Sequence, residues 1–491
     1  MPDGRNRFTD PAPAARWSVA ATVVIVIGAF LRLARLDLIE FKGDEQEALN
    51  LGIRLLENPP WTGAGELPQH GMPSSQGIAN APLFNWIMAA AWALTGHPIG
   101  ATALICAANA AALYPLWRWA LRRMDRERAL LLLATVAVSP FSVLLSRKLW
   151  AQDLLFPALV CLLWAIEYWQ TRQLFRAVAC FAVAALPIGQ LHQSGPIALA
   201  VFPVAVALSG MGDREAWRDR LRGLGRFTVL QYALLLCLVI LHAVLWIPYF
   251  QYLWTLPDSV FANRLRLESF EPALLRMVGQ QVAPLDLFYF FGPDRADFLA
   301  SGWRRFVYSL SVAFGTPLLI VGLVGWIRSP GRLPIAGIWW WLVIATFTLA
   351  RIPAYPFYAL ILSPLPAALA AGAFDWRLPA VLTRTVLLVR WTYVAALLLV
   401  TIATGAWLSE RGGSRGDYGV VYGVREQQAR ALTGPSPQAS DSEGLRCHEP
   451  PGEVLWIIER VHHEPAAATL AVCDGWVKDG RDDRYRWSVR R

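Results

Sequence analysis

The chain has 491 residues, 55% of them hydrophobic, with a formal charge of +9 and a mean hydropathy of +0.38. Its apolar residues are gathered into long runs such as Val19 to Leu31 and Leu234 to Tyr249, which excludes a water-soluble domain, because one core could not hide that much apolar surface. The arginines fall in short segments between these runs, where they report membrane orientation; nucleic acid is excluded as a partner.

In chain order, a polar, basic N-terminus over residues 1–16 is expected in the cytoplasm, followed by a first span without a small-residue cleavage site, which reads as retained. About eleven runs approach the length of roughly 20 residues that a helix needs to cross the hydrocarbon. They are Trp17 to Leu36, Pro98 to Trp117, Ala129 to Leu145, Leu154 to Trp169, Ala177 to Leu191, Pro196 to Met211, Phe227 to Tyr249, Phe306 to Ile327, Leu333 to Ala350, Tyr355 to Phe374 and Val386 to Leu408. Arg118, Arg122, Arg123, Arg126 and Arg128 follow the second run, and Arg214, Arg218, Arg220, Arg222 and Arg226 follow the sixth, so both loops are expected on the cytoplasmic side.

That orientation assigns three segments to the opposite face: outer loops over residues 37–97 and 251–305, and a tail over residues 409–491. In the first loop, Ala81 to Leu94 is apolar but too short to span, with Pro82 near its start and Gly96 beyond its end, and reads as an interfacial helix. The tail reads as a helix from Tyr418 to Leu432, a Pro/Ser-rich link from Thr433 to Gly444, and a small exported α+β module. Cys447 and Cys473 in that module are either disulfide-bonded in an oxidising compartment or free. The fold class is thus an all-α polytopic membrane protein, with a membrane domain over residues 17–408 and a small terminal module.

The first candidate chemistry is Lys42-Gly43-Asp44-Glu45-Gln46-Glu47, a carboxylate cluster within about ten residues of the first span's outer end. Glycine before an acidic pair also suits a plain helix N-terminus, and propensity does not separate the two readings. Asp153, in Ser146-Arg147-Lys148-Leu149-Trp150-Ala151-Gln152-Asp153, lies in a tight hairpin on the same face. A charge near the membrane centre costs roughly 2.5 to 3.5 kcal/mol, so such residues need partners or a purpose, and pairing with Arg147 or Lys148 is the plain alternative to a catalytic role. His192 and Gln193 end the fifth span on that face, and Arg351 with Tyr355 and Tyr358 closes the ninth. A capping histidine and interfacial anchoring by arginine and tyrosine are the ordinary readings of those positions. Asp44, Asp153 and His192 also offer ligands to a divalent cation, magnesium or manganese, an alternative the sequence leaves open.

Gly43-Asp44-Glu45 after the first span, Ala81-Pro82-Leu83 with Trp86, Ser146-Arg147 followed by Asp153, and Arg351 before Tyr355 together resemble the GT-C superfamily of polyprenyl-phosphate-dependent glycosyltransferases. The resemblance is to glycosyltransferase family 39 in particular, which includes protein O-mannosyltransferases and the lipid A aminoarabinose transferase. Ala81-Pro82 departs from the family's frequent Pro-Pro, and Ala354-Tyr355 from the His-Tyr of some relatives. The resemblance implies transfer of a hexosyl or pentosyl group from a polyprenyl-phosphate-linked sugar to an envelope lipid, glycan or protein acceptor, with inversion, at the non-cytoplasmic face of the plasma (inner) membrane. On it Asp44, with Glu45 and Asp153, is catalytic; Arg147, Lys148, Arg351 and Tyr355 hold the donor phosphate; His192 and Gln193 hold substrate; membrane lipids surround the whole. The competing reading is a membrane transporter or lipid flippase, whose internal repeats and discontinuous midplane helices are not evident in this sequence.

Overall fold

The computed structural model describes residues 11–63, 65–73, 78–192, 195–212, 218, 222, 227–257, 279–284, 287–328, 334–349, 355–372, 380–424, 426, 455–460, 476–481 and 485–490. Seventeen α-helices are seen among them. α1 is Pro11–Leu33, α2 Gly43–Glu57, α3 Leu83–Thr95, α4 Pro98–Ala111, α5 Leu113–Arg123, α6 Arg126–Val138, α7 Pro140–Leu144, α8 Leu155–Gln170 and α9 Leu174–Leu191. α10 is Gly195–Gly212, α11 Val229–Thr255, α12 Leu287–Phe291, α13 Arg295–Ala300, α14 Gly302–Arg328, α15 Pro334–Leu349, α16 Leu365–Gly372 and α17 Ala380–Arg411. Three strands, β1 Leu455–Arg460, β2 Trp476–Arg481 and β3 Tyr485–Arg490, form an antiparallel sheet in the order β1-β3-β2.

Seven helices among the described residues are long and apolar enough to cross a membrane, and Gly195–Leu208 and Leu83–Thr95 are shorter apolar helices. Every expected span contains helix, but three are divided, the run Pro98 to Trp117 at Ala112 between α4 and α5. The run Ala129 to Leu145 breaks at Ser139, where Pro140 removes a backbone donor and restarts the chain as α7. The run Tyr355 to Phe374 holds a 3-10 helix, Pro356–Leu362, and then the short α16, because Pro356, Pro364 and Pro366 interrupt the i to i−4 ladder.

The helices sort by what covers them. In α6 every residue from Ala129 to Val138 is buried, and α1, α5, α16 and α17 pack around it. In α11 the apolar side chains of Val229, Leu236, Val239, Ile247 and Trp254 are exposed, a surface that only lipid can cover favourably. Local signals fix the ends: Asp125 accepts from the Arg128 amide at 2.9 Å to start α6, and the amides of Thr228 and Gln231 each donate to the other's side-chain oxygen, at 2.9 and 3.3 Å, to start α11. The interfacial helix expected at Ala81 to Leu94 is α3, which begins after Pro82 and stops at Gly96, whose φ of +59° favours glycine.

A reciprocal clasp ties α1 to the centre. The buried Arg32 guanidinium donates to the carbonyls of Gly28, Ala137 and Val136 at 2.9, 2.8 and 3.1 Å, while Arg147 donates back to the carbonyls of Leu31 and Arg35 at 3.0 and 2.6 Å. Each arginine satisfies carbonyls that a helix end leaves open.

Candidate active site at the loop end of the bundle

α1 delivers the chain to one end of the bundle at Leu33, and α17 returns it there at Arg411. At this end the first loop, the turn before α8, the α12 region and the segment after α17 meet. Tyr422 donates its amide to the Ile39 carbonyl at 2.9 Å, the Tyr418 hydroxyl donates to the Leu38 carbonyl at 2.6 Å, and Glu40 bridges to Val421. Arg415 pairs with Asp294 and Arg411 with Asp297, while the amides of Asp417 and Tyr418 donate to the carbonyls of Tyr289 and Phe290. The segment Gly412 to Val421 is therefore a latch and not the start of the helix expected at Tyr418, because Gly412, Gly413 and Gly419 hold φ values of +69°, +135° and +69°. Helix resumes at Tyr422, and the remainder of the expected tail helix, like Cys447 and Cys473, lies outside the described residues.

Where these elements meet lies a cavity of about 350 Å³, lined by Asp44, Asp417, Trp150, Gln152, Tyr289, Tyr355, Phe357 and Tyr358 among others. Its size suits a small polar ligand. Asp44 occupies the first turn of α2, where the helix N-terminus favours a negative charge, and the Lys42 amide donates to Glu45 at 3.0 Å to fix that turn. Tyr355 stacks on Phe357 with ring centroids 5.4 Å apart, forming an aromatic wall with Tyr358. Burial raises the Tyr289 phenol and keeps it a hydrogen-bond donor.

Behind the wall sits an ionic cluster. Lys148 is completely buried and pairs with the equally buried Glu40; its ammonium also lies 3.9 Å from the centre of the Trp150 ring and 3.8 Å from Asp417. Lys42 pairs with Glu40 at 2.5 Å and with Asp417 at 3.2 Å, and also donates to the Asp417 carbonyl. Burial pulls both ammoniums down, but the carboxylates of Glu40 and Asp417 outweigh it and hold both above the usual lysine range. Burial pushes the Glu45 carboxyl up, against the opposing pull of Lys42 and Lys148.

The residues singled out in the sequence divide accordingly. Asp44 and Tyr355 line the cavity. Asp153 is buried behind it, in the electrostatic field of Lys148, Glu45 and Glu40, and so reaches the same cluster as Glu45 without lining the cavity. His192 is buried one layer back, its ring 4.9 Å from that of Tyr358. Arg147 departs from its expected role, since its guanidinium is directed at the backbone of α1 and not at a phosphate. Lys148 is sealed from the cavity by its burial. Gln193 and Arg351 lie outside the described residues. Among the described residues no three His, Cys, Asp or Glu side chains gather as a metal site, so Asp44, Asp153 and His192 do not form the three-ligand set. The cluster's positive charge is supplied by lysines instead.

Glu40, Lys42, Tyr289 and Asp417 were not assigned roles from sequence. A signal for Asp417 exists in hindsight: Arg411-Gly412-Gly413-Ser414-Arg415-Gly416 gives a tight, glycine-rich return immediately after the last apolar run.

No protein-family model and no curated protein matches the chain. The fold is similar to ArnT from Cupriavidus metallidurans in a crystal structure bound to undecaprenyl phosphate, with a TM-score of 0.47 and 16% identity over 81% of this chain and 73% of that one. It is also similar to the Archaeoglobus fulgidus oligosaccharyltransferase in its apo form, with a TM-score of 0.43 and 15% identity over 88% of this chain and 62% of that one. The likeness is one of fold alone.

Proposed function

We propose that this chain is a membrane glycosyltransferase that moves a sugar from a polyprenyl phosphate to a hydroxyl of a lipid, glycan or protein acceptor, and that the cavity holding Asp44 is its reaction site. The observation that carries the reading is the composition of that cavity: a carboxylate at a helix N-terminus, phenolic and indole rings, and two lysines kept protonated behind them. The Gly43-Asp44-Glu45 resemblance to GT-C enzymes supports it independently.

The chemistry asks for little else. Asp44 takes the proton of the acceptor hydroxyl as its oxygen attacks the anomeric carbon; the bond from that carbon to the phosphate oxygen breaks, and polyprenyl phosphate leaves with the electron pair. A phosphate departs without a strong acid, so the developing negative charge needs only fixed positive charge and donors nearby, which Lys42, Lys148 and the Tyr289 hydroxyl supply. Attack opposite the leaving group with one assisting base inverts the anomeric centre. With no three-ligand group among the described residues, no step is routed through a cation.

The lipid substrate fits the position of the site, since a polyprenyl chain stays in the bilayer and presents its head group at a helix-bundle end. The arginine-rich ends of α5 and α6 lie at the opposite end, which supports a cytoplasmic N-terminus and a cavity facing outward from the inner membrane.

The test uses purified protein in liposomes, labelled polyprenyl-phosphate sugars and candidate acceptors. Wild type is expected to release polyprenyl phosphate, and Asp44→Asn to lose about 100-fold or more in rate while keeping its thermal unfolding midpoint. Equal rates in the two proteins would remove Asp44 from the chemistry, and lipid movement without release would make the chain a flippase.

A further inference from the structure

The ionic cluster has a feature that the transfer reaction does not require. Lys42 and Lys148 face two close carboxyl groups, Glu40 and Asp417, so both ammoniums have partners before any substrate arrives. Glu40 is wholly buried and lodged against Lys148, its backbone held by the bridge to Val421. Asp417 differs from Glu40, because its side chain is 18% exposed and lines the cavity; Lys42, exposed to the same 18%, is not among the lining residues. The Asp417 carboxylate thus belongs at once to the cavity lining and to the Lys42 ion pair.

The Asp417 backbone is pinned, with its amide on the Tyr289 carbonyl at 3.0 Å and the next amide on the Phe290 carbonyl at 3.1 Å. Gly416 is packed so tightly that a β-carbon there would meet the Phe290 carbonyl oxygen at 2.2 Å. Any displacement would therefore have to come from the side chain and not from the backbone. A carboxylate and a phosphate both accept charge-assisted hydrogen bonds from an ammonium, and a phosphate offers more oxygens and more charge.

We propose that Lys42 is the cation that receives the phosphate of the lipid carrier, and that Asp417 is a built-in anion that occupies Lys42 in the empty site and is displaced when the phosphate enters. This rests on the transferase reading. The latch after α17 is, on this account, a competitor for the substrate's own contact.

The experiment measures binding of undecaprenyl phosphate, and of undecaprenol as the phosphate-free control, to the full-length protein in nanodiscs at fixed ionic strength. Wild type is expected to prefer the phosphate form. Removing the competing anion in Asp417→Asn should tighten phosphate binding roughly three- to ten-fold, and Asp417→Ser should do the same if the asparagine variant folds poorly. Lys42→Met should abolish the preference. If wild type prefers the phosphate but both Asp417 variants bind it equally or more weakly, Asp417 merely positions Lys42, and the proposal falls while the transferase reading stands. If wild type binds the two lipids alike, the transferase reading falls and takes the proposal with it.

Discussion

At the arginine end of the bundle, Arg128 pairs with a well-exposed Asp125 at 3.2 Å, while Arg390, itself buried, reaches Glu127 at 3.3 Å. At the loop end, Lys148 and Glu40 pair with neither side chain exposed, and Lys42 and Asp417 are each mostly buried. Both ends pair a cation with a carboxylate, arginine at one and lysine at the other, for different work. Exposed pairs near the head groups are screened and exchangeable, and serve orientation. Buried pairs have given up hydration that their mutual attraction only partly returns, and proteins retain such arrangements where charge must be held in a fixed place.

The comparison is most exposed to breakage at Lys148. Lys148→Met leaves Glu40 with one cation where it had two, and is expected to cost about 3 to 5 kcal/mol in stability, read from unfolding in detergent with increasing denaturing surfactant. A loss below about 1 kcal/mol would mean that the buried pair behaves like a surface one.

A smaller effect should appear with pH. The lysines of the cluster titrate above their ordinary value, so the stability they contribute is complete below about pH 10.5 and is lost as the pH climbs through their higher folded-state values. The thermal midpoint of wild type should fall above about pH 10, and the stability gap between wild type and Lys148→Met should narrow over the same alkaline interval. A gap that stays constant beyond pH 11 would show that the pairing energy does not depend on the lysine proton.

The smallest change belongs to the other end. Arg128→Ala should shift stability by less than about 1 kcal/mol and leave polyprenyl-phosphate release untouched, as measured in the same liposomes. A large loss of release there would mean that the arginine end communicates with the site.

What could be read in advance follows from how local each signal is. The spans were legible because a bilayer-crossing helix is written in one contiguous run, and the breaks within Ala129 to Leu145 and Tyr355 to Phe374 came from prolines whose consequences the hydropathy of those runs masked. Asp44 was legible because it falls just after a span and ahead of a helix. Lys42, Glu40 and Asp417 were not, because their meaning lies in a pairing across 375 residues of sequence between Lys42 and Asp417. Arg147 shows the converse, since the family resemblance gave it the donor phosphate but its guanidinium faces helix-end carbonyls.

The exchange between Arg32 and Arg147 bears on how the molecule is made. Arg32 finds its carbonyl partner in Ala137, 105 residues later in the chain, and Arg147 answers from beyond α7. During synthesis the first helix must therefore wait in the insertion machinery or the lipid with its charged end unfinished until the third hydrophobic run emerges. Assembly of this protein acquires an order from two arginines: the opening helix is seated early and is locked only when a later one arrives.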